Sequence, residues 1–233
     1  MLPRLVQLKG IALDFLFPRW CIGCGKEGDL ICPACRRLLP RIMPRVCPRC
    51  GKPQSSGVLC ASCAGSTAAI DGIRAPFRFD GVIRQAVHQL KYHNLTALAQ
   101  PLAGLLRDYL AANPLPVEAL VPVPLHPRRL KERGYNQSGL LARELGRLTN
   151  FPVVESGLIR HRQTLPQART ATLEERKRNI RDAFLCPDAT LRDRQVLLID
   201  DVSTSGATLD ACAAVLKASG AVSVWGLTLA KEI

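Results

Sequence analysis

The sequence predicts an α/β fold: a parallel sheet flanked by helices, preceded by a small cysteine-rich metal module. Three observations carry this expectation. Residues 196–199 form a short, branched, continuously apolar run that leads into Asp200 and Asp201. Such a run suits a strand buried on both faces of a parallel sheet. Leu209, Cys212, Ala213 and Leu216 then recur at helical spacing, with Gly220 placed to stop the helix. Finally, eight of the ten cysteines fall in four C-x-x-C pairs before residue 64.

The chain of 233 residues has room for one sizeable domain and one small one. It is 47% hydrophobic, which places it among folded proteins. No segment reaches the length of a membrane span. The first residues carry apolar positions, but Lys9 and Asp14 interrupt them and no small-residue cleavage site follows, so no signal peptide is expected. The cysteines therefore read as metal-bound thiolates in a reducing cytoplasm. The formal charge of +13 favours anionic partners.

Residues 1–20 are expected to be an amphipathic helix that packs on the neighbouring domain, with a membrane-surface helix as the alternative. Leu5, Leu8, Ala12, Phe15 and Leu16 share a face, and Pro18 ends the helix. Residues 21–65 read as a double zinc ribbon with the pairs Cys21/Cys24, Cys32/Cys35, Cys47/Cys50 and Cys60/Cys63. Gly25 and Gly51 suit knuckles that aim backbone N–H groups at sulfur. Four soft ligands suit tetrahedral Zn²⁺ in a closed structural site, with iron–sulfur as the alternative. Sequential pairing is favoured, four cysteines to each zinc, although interleaved pairing fits the same spacings. Two four-thiolate sites lower the net charge to about +9. Without metal a module this small does not hold a fold. Arg36, Arg37, Arg41, Arg45 and Arg49 form either a nucleic-acid patch or a solvated face that offsets thiolate charge.

Residues 64–75 read as a linker into an α/β domain assigned to 72–233. A strand over 75–79, a turn at Asp80-Gly81 and a helix over 82–90 come first, leading to Lys91-Tyr92-His93. A helix over 96–110 ends at Asn113-Pro114. A strand is expected over 119–125 despite Pro122 and Pro124. Residues 126–137 read as a basic loop whose Arg128, Arg129, Lys131 and Arg133 suit a diphosphate, since Arg grips phosphate in a bidentate fork. A helix over 138–148, a strand over 153–159, a mobile basic flap over 160–179 and a strand over 222–229 complete the domain. Residues 125–181 hold 13 Lys and Arg against 5 Asp and Glu, which concentrates positive charge in this stretch. Cys186 and Cys212 read as small core residues. Tyr92 and Tyr135 are either stacking platforms or structural.

The turn at 204–208 has a chemical reading. Its residues are small, so successive N–H groups and the first turn of the following helix make an anion nest. The hydroxyls of Thr204, Ser205 and Thr208 add donors. Asp200 and Asp201 suit the hydroxyls of a ribose diol, or help to hold hydrated Mg²⁺. A phosphate site beside a diol site describes a ribose 5-phosphate.

This stretch resembles the phosphoribosyl-diphosphate (PRPP) signature of type I phosphoribosyltransferases. The resemblance implies that Asp200 and Asp201 bind the ribose hydroxyls and that Thr204, Ser205, Gly206, Ala207 and Thr208 bind the 5-phosphate. Ser205 stands where the family usually has Thr. Nearly the whole chain resembles the ComF/GntX-type competence and DNA-utilisation proteins, in which a double zinc ribbon precedes a phosphoribosyltransferase-like domain. The segments 121–125, 133–137, 160–167 and 176–179 share in that resemblance. It implies uptake or use of external DNA, on the cytoplasmic side where single-stranded DNA arrives, with competence-machinery proteins as partners. Two activities are open. In one, PRPP with Mg²⁺ reacts with a nitrogen acceptor, with Asp200, Asp201, Arg128 and Arg129 in the catalytic site and Lys131 and Arg133 on the cofactor. In the other, the pocket binds PRPP or ribose 5-phosphate without turnover and the basic surfaces hold single-stranded DNA. A zinc-ribbon regulator of purine genes is a third reading, and no helix-turn-helix is evident for it.

Overall fold

A computed structural model describes residues 19–161 and 183–233. The predicted N-terminal helix and most of the predicted flap lie outside these residues. Five strands form one parallel sheet: β1 (Gly72–Arg74), β2 (Phe77–Arg78), β3 (Ala119–Pro122), β6 (Gln195–Ser203) and β7 (Ser223–Lys231). The order is β1-β7-β6-β3, with β2 also on β7. A separate antiparallel pair joins β4 (Ile159–Arg160) to β5 (Phe184–Leu185).

The apolar run at 196–199 is the core of β6, and its side chains alternate between two cores. Leu197 and Ile199 join a cluster with Ile83, Leu102, Leu106, Leu141 and Leu145. Val196 and Leu198 join Val121, Leu209, Cys212 and Leu216 on the other face. Burial on both faces explains why the run does not alternate with polar residues. The strand continues past the apolar run, so both aspartates lie within it and point to opposite faces.

Three helices cover the first face. Helix α3 (Gly81–Tyr92) starts at Asp80, whose carboxylate accepts from the Gly81 N–H, and buries Ile83, Ala86, Val87 and Leu90. Helix α4 (Ala99–Ala112) continues from a 3-10 turn at Thr96–Leu98. Helix α6 (Gln137–Thr149) is capped by the Asn136 side chain and closed by a left-handed Asn150. Helix α7 (Ala207–Ala218) covers the second face, and Gly220 follows its cap with φ 99°.

Several predicted elements differ: the linker expected over 64–75 contains β1, and the strand expected over 75–79 shrinks to β2. The basic loop over 126–137 contains a helix, α5 (Pro127–Arg133), with His126 as N-cap, Pro127 in its first turn and a left-handed Gly134 as C-cap. It buries no side chain, so it carries no apolar periodicity to read. The strand over 153–159 shrinks to one parallel bridge between Val153 and Leu120, followed by a 3-10 turn at Glu155–Gly157.

The short helices α1 (Pro33–Arg37) and α2 (Ala61–Ala64) belong to the two cysteine ribbons. Both ribbons pack directly on the sheet domain. Cys21, Leu30, Ile31, Cys35 and Leu39 belong to the first core cluster. The Ile73 N–H of β1 donates to the Arg49 carbonyl at 2.7 Å, so the second ribbon covers an edge of the sheet.

Gly146 lets α6 sit close to the chain beyond β3. A β-carbon there would lie 2.4 Å from Val153 Cγ2 and 2.9 Å from the Phe151 carbonyl oxygen. Gly146→Ala is expected to destabilise the zinc-loaded protein by about 1–3 kcal/mol, read as a lower urea midpoint with unchanged slope.

Candidate functional site

The eight cysteines of the ribbons gather as two foursomes, Cys21/Cys24/Cys32/Cys35 and Cys47/Cys50/Cys60/Cys63, in the sequential pairing. Within each, the sulfurs lie within 4.8 Å of one another. The Cys24–Cys32 and Cys50–Cys60 sulfurs are 3.6 and 3.7 Å apart. A tetrahedron with Zn–S bonds of about 2.3 Å has edges of about 3.8 Å, so the sites fit structural zinc. Backbone geometry repeats between the sites. Gly25 and Gly51 adopt φ of 68° and 70° and donate to the Cys21 and Cys47 carbonyls. The N–H groups of Cys32 and Cys60 donate to the sulfurs of Cys21 and Cys47, both at 3.4 Å. Burial raises the Cys21 and Cys47 thiols, yet the N–H groups aimed at them outweigh it and bring both down to about 6. In the folded ribbons these N–H groups thus favour the thiolate form that zinc binds.

At the carboxyl end of β6 the two aspartates find different partners. Asp201 is 2% exposed, forms an ion pair with Lys91 of α3, and accepts from Gln137 Nε2 at 3.1 Å. Asp200 accepts from the Ser138 hydroxyl at 2.7 Å and from the Asp201 N–H at 2.9 Å. Burial, reinforced by the neighbouring Asp201 charge, pushes Asp200 up to about 7. Gln137 and Ser138 open α6, so one helix start reaches both carboxylates.

The turn that follows is an anion nest in backbone terms. Gly206 has φ 83° and precedes α7 as its N-cap. Thr204 and Ser205 are exposed. The Ala207 N–H donates to Ser205 Oγ, while the N–H groups of Ser205, Gly206 and Thr208 have no partner among the described residues. Asp210, the acidic residue of the first turn of α7, is turned away and accepts from the Ala69 and Ile70 N–H groups at 2.7 and 3.1 Å. The nest is therefore free of a competing carboxylate and fits a phosphate.

The predicted basic residues divide. Arg133 bonds Gln137 and lies over the Tyr92 ring, which links it to Asp201. Arg129 stands close enough to Arg160 for its charge, after burial, to lower the Arg160 pKa, and Asp200 shares that field. Arg128 instead pairs with Glu132 at 2.9 Å on the exposed side of α5, and Lys131 is exposed. Tyr135 is structural, because its hydroxyl donates to the Leu90 carbonyl; Tyr92 is 65% exposed. Of the five ribbon arginines, Arg36 pairs with Asp108 at 2.5 Å and Arg49 donates to the Cys63 and Ser66 carbonyls. Arg41 and Arg45 line an open cleft of about 550 Å³ with Arg74 and Tyr109. Cys212 is a core residue, whereas Cys186 is only half-buried.

Sequence reasoning missed Lys91, Gln137, Ser138 and Lys231. Lys231 is 3% exposed and donates to the Thr204 carbonyl at 3.2 Å. Its only signal was a cation two residues beyond Leu229, on the buried parity of the last strand.

Comparisons with known proteins add the following. The family model "Double zinc ribbon domain" matches residues 12–64. The chain is 28% identical to "Competence protein ComFC" of Bacillus subtilis, covering 89% of this chain and 86% of that protein. It is 29% identical to "Competence protein F" of Haemophilus influenzae, covering 90% and 96%. It is 32% identical to "DNA utilization protein YhgH" of Escherichia coli strain K12, covering 84% and 89%. Among solved structures it is similar to a glutamine PRPP amidotransferase from B. subtilis, at TM-score 0.40 and 16% identity, over 55% of this chain and 26% of that one. A purine phosphoribosyltransferase from Pyrococcus horikoshii gives TM-score 0.29 at 16% identity, over 59% and 85%.

Two outcomes are expected. Metal analysis of the purified protein gives two zinc ions per chain, and a strong chelator abolishes its cooperative melting. The second concerns Asp200, whose proton the folded protein keeps up to about 7 but the unfolded chain releases near about 3.9. Its favourable contribution is complete below the lower value and is lost as pH rises through the upper one. Asp200→Asn should therefore raise the melting temperature at pH 8.5 by about 2–4 °C or more, and leave it unchanged near pH 4.

Proposed function

The chain belongs to the ComFC/YhgH family of competence and DNA utilization proteins, and on that premise we propose that it binds PRPP or a related ribose phosphate while acting in DNA uptake or utilization in the cytoplasm. The observation that carries this reading is the turn at 204–208, with three unpartnered N–H groups beside a carboxylate pair. The N–H groups offer donors to a 5-phosphate, and Asp200 and Asp201 offer acceptors to the ribose 2- and 3-hydroxyls. PRPP arrives with Mg²⁺, which the diphosphate and the nearby carboxylates would share. Among the described residues, no helix is long and apolar enough to cross a membrane.

A second reading is glycosyl transfer: a nitrogen acceptor attacks C1 of PRPP as diphosphate leaves. The charge field that Arg160 shares with Arg129 and Asp200 favours it, because fixed cations stabilise a departing diphosphate. Arg128 and Lys131 lie farther out on α5, where they meet the phosphates only after a rearrangement of their side chains. Single-stranded DNA is the proposed larger partner, with the cleft of Arg41, Arg45, Arg74 and Tyr109 as its candidate track. Competence-machinery proteins are the proposed protein partners.

The test is titration of the zinc-loaded protein with PRPP and Mg²⁺, followed by assay of diphosphate release with single-stranded DNA or free bases. Saturable PRPP binding is expected, and the double substitution Asp200→Asn with Asp201→Asn should weaken it about 10-fold or more without changing zinc content. Unchanged binding in that variant would sink the diol assignment. Release that needs an acceptor would establish transfer.

A further inference from the structure

We propose that Lys231 is a positioning residue of the phosphate-accepting turn, and that with Ile73 it anchors this turn to the second zinc knuckle. Ribose-phosphate binding then depends on the second zinc centre in particular. This rests on the ribose-phosphate reading above.

The first link is a hydrogen bond with a directional consequence. Lys231 is almost wholly buried at the end of β7, and its ammonium donates to the Thr204 carbonyl. No cis peptide occurs among the described residues. In a trans peptide the carbonyl and the next N–H point in opposite directions across one plane. Drawing the Thr204 carbonyl inward to Lys231 therefore turns the Ser205 N–H outward, into the nest. Ser203 pairs in register with Lys231, and its buried hydroxyl has no partner among the described residues. That hydroxyl lies 3.9 Å from where a β-carbon on Gly206 would stand, so a second polar group lies directly beneath the turn.

The second link is packing. A β-carbon on Gly206 would lie 2.6 Å from Ile73 Cδ1, so Ile73 supports the turn from below. The Ile73 N–H is bonded to the Arg49 carbonyl, between the ligands Cys47 and Cys50. A β-carbon on Gly51 would lie 2.5 Å from the Ile73 carbonyl oxygen, so the knuckle and β1 touch backbone to backbone. The first zinc site lies elsewhere, where Gly23 abuts Val82 of α3.

The test uses the full zinc-loaded chain and ribose 5-phosphate. Lys231→Met is expected to weaken binding about 10- to 100-fold with both zinc ions retained, and Lys231→Arg to recover most of it. Phosphorus NMR of the bound ligand should show the second ionisation of the phosphate moved upward in Lys231→Met and returned in Lys231→Arg. By thermodynamic reciprocity, saturating ribose 5-phosphate should tighten one of the two zinc ions against a competing chelator. If the unaltered protein binds ribose 5-phosphate, but Lys231→Met binds it equally well or neither zinc ion tightens, this inference falls alone. If the unaltered protein binds no ribose 5-phosphate, the functional reading falls with it.

Discussion

The register of β6 against β7 is the constraint on which the site depends. Asp200 faces Thr228, and Ser203 faces Lys231. A slip of one residue would exchange the two faces of β6, sending Asp201 and Ser203 towards α7 and Leu198 towards α3. The register is held by burial on both sides, because Leu197, Leu198, Val224 and Leu227 are all inaccessible to solvent. Fully burying each such side chain stabilises by about 1.5–3 kcal/mol, enough to make any other register unfavourable. Apolar packing thus places the polar groups.

The zinc ribbons are part of this architecture. They supply residues to the first core cluster, cap the edge strand through Arg49, and tie α1 to α4 through Arg36 and Asp108. Exposed ion pairs of this last kind contribute little, about 0–1 kcal/mol. The hold comes instead from Cys21, Leu30, Ile31 and Leu39, buried in the same cluster as Phe77 and Ile83. The first ribbon therefore shares one core with the sheet domain.

Much of this was legible in the sequence, and the rest was hidden for definite reasons. The β6–turn–α7 unit and the four cysteine pairs are local, and their spacing carries the geometry. The helix at Pro127–Arg133 had its start and stop signals in Pro127 and Gly134, but no buried face to confirm them. The strand expected at 153–159 fails where Gly157 is pressed against Leu191, with Cδ1 2.7 Å from a β-carbon position. Lys91, Gln137 and Lys231 owe their importance to partners distant along the chain, and no local pattern announces a partner. The residues of the site that were found are those within one strand and turn; the missed ones come from α3, α6 and β7.

The parallel arrangement also sets an order of events during synthesis. Strand β7 lies between β6 and the β1–β2 edge, and it is the last of the described strands to be made. Its pairings with β1 and β2 close long loops, which makes the sheet slow to form. The ribbons need only local chain and metal, so they can take up zinc while the sheet still lacks its middle. Until β7 arrives, the apolar faces of the first ribbon and of α3 stand partly uncovered, open to aggregation or to a chaperone. A newly made chain would thus carry its zinc before it has a pocket.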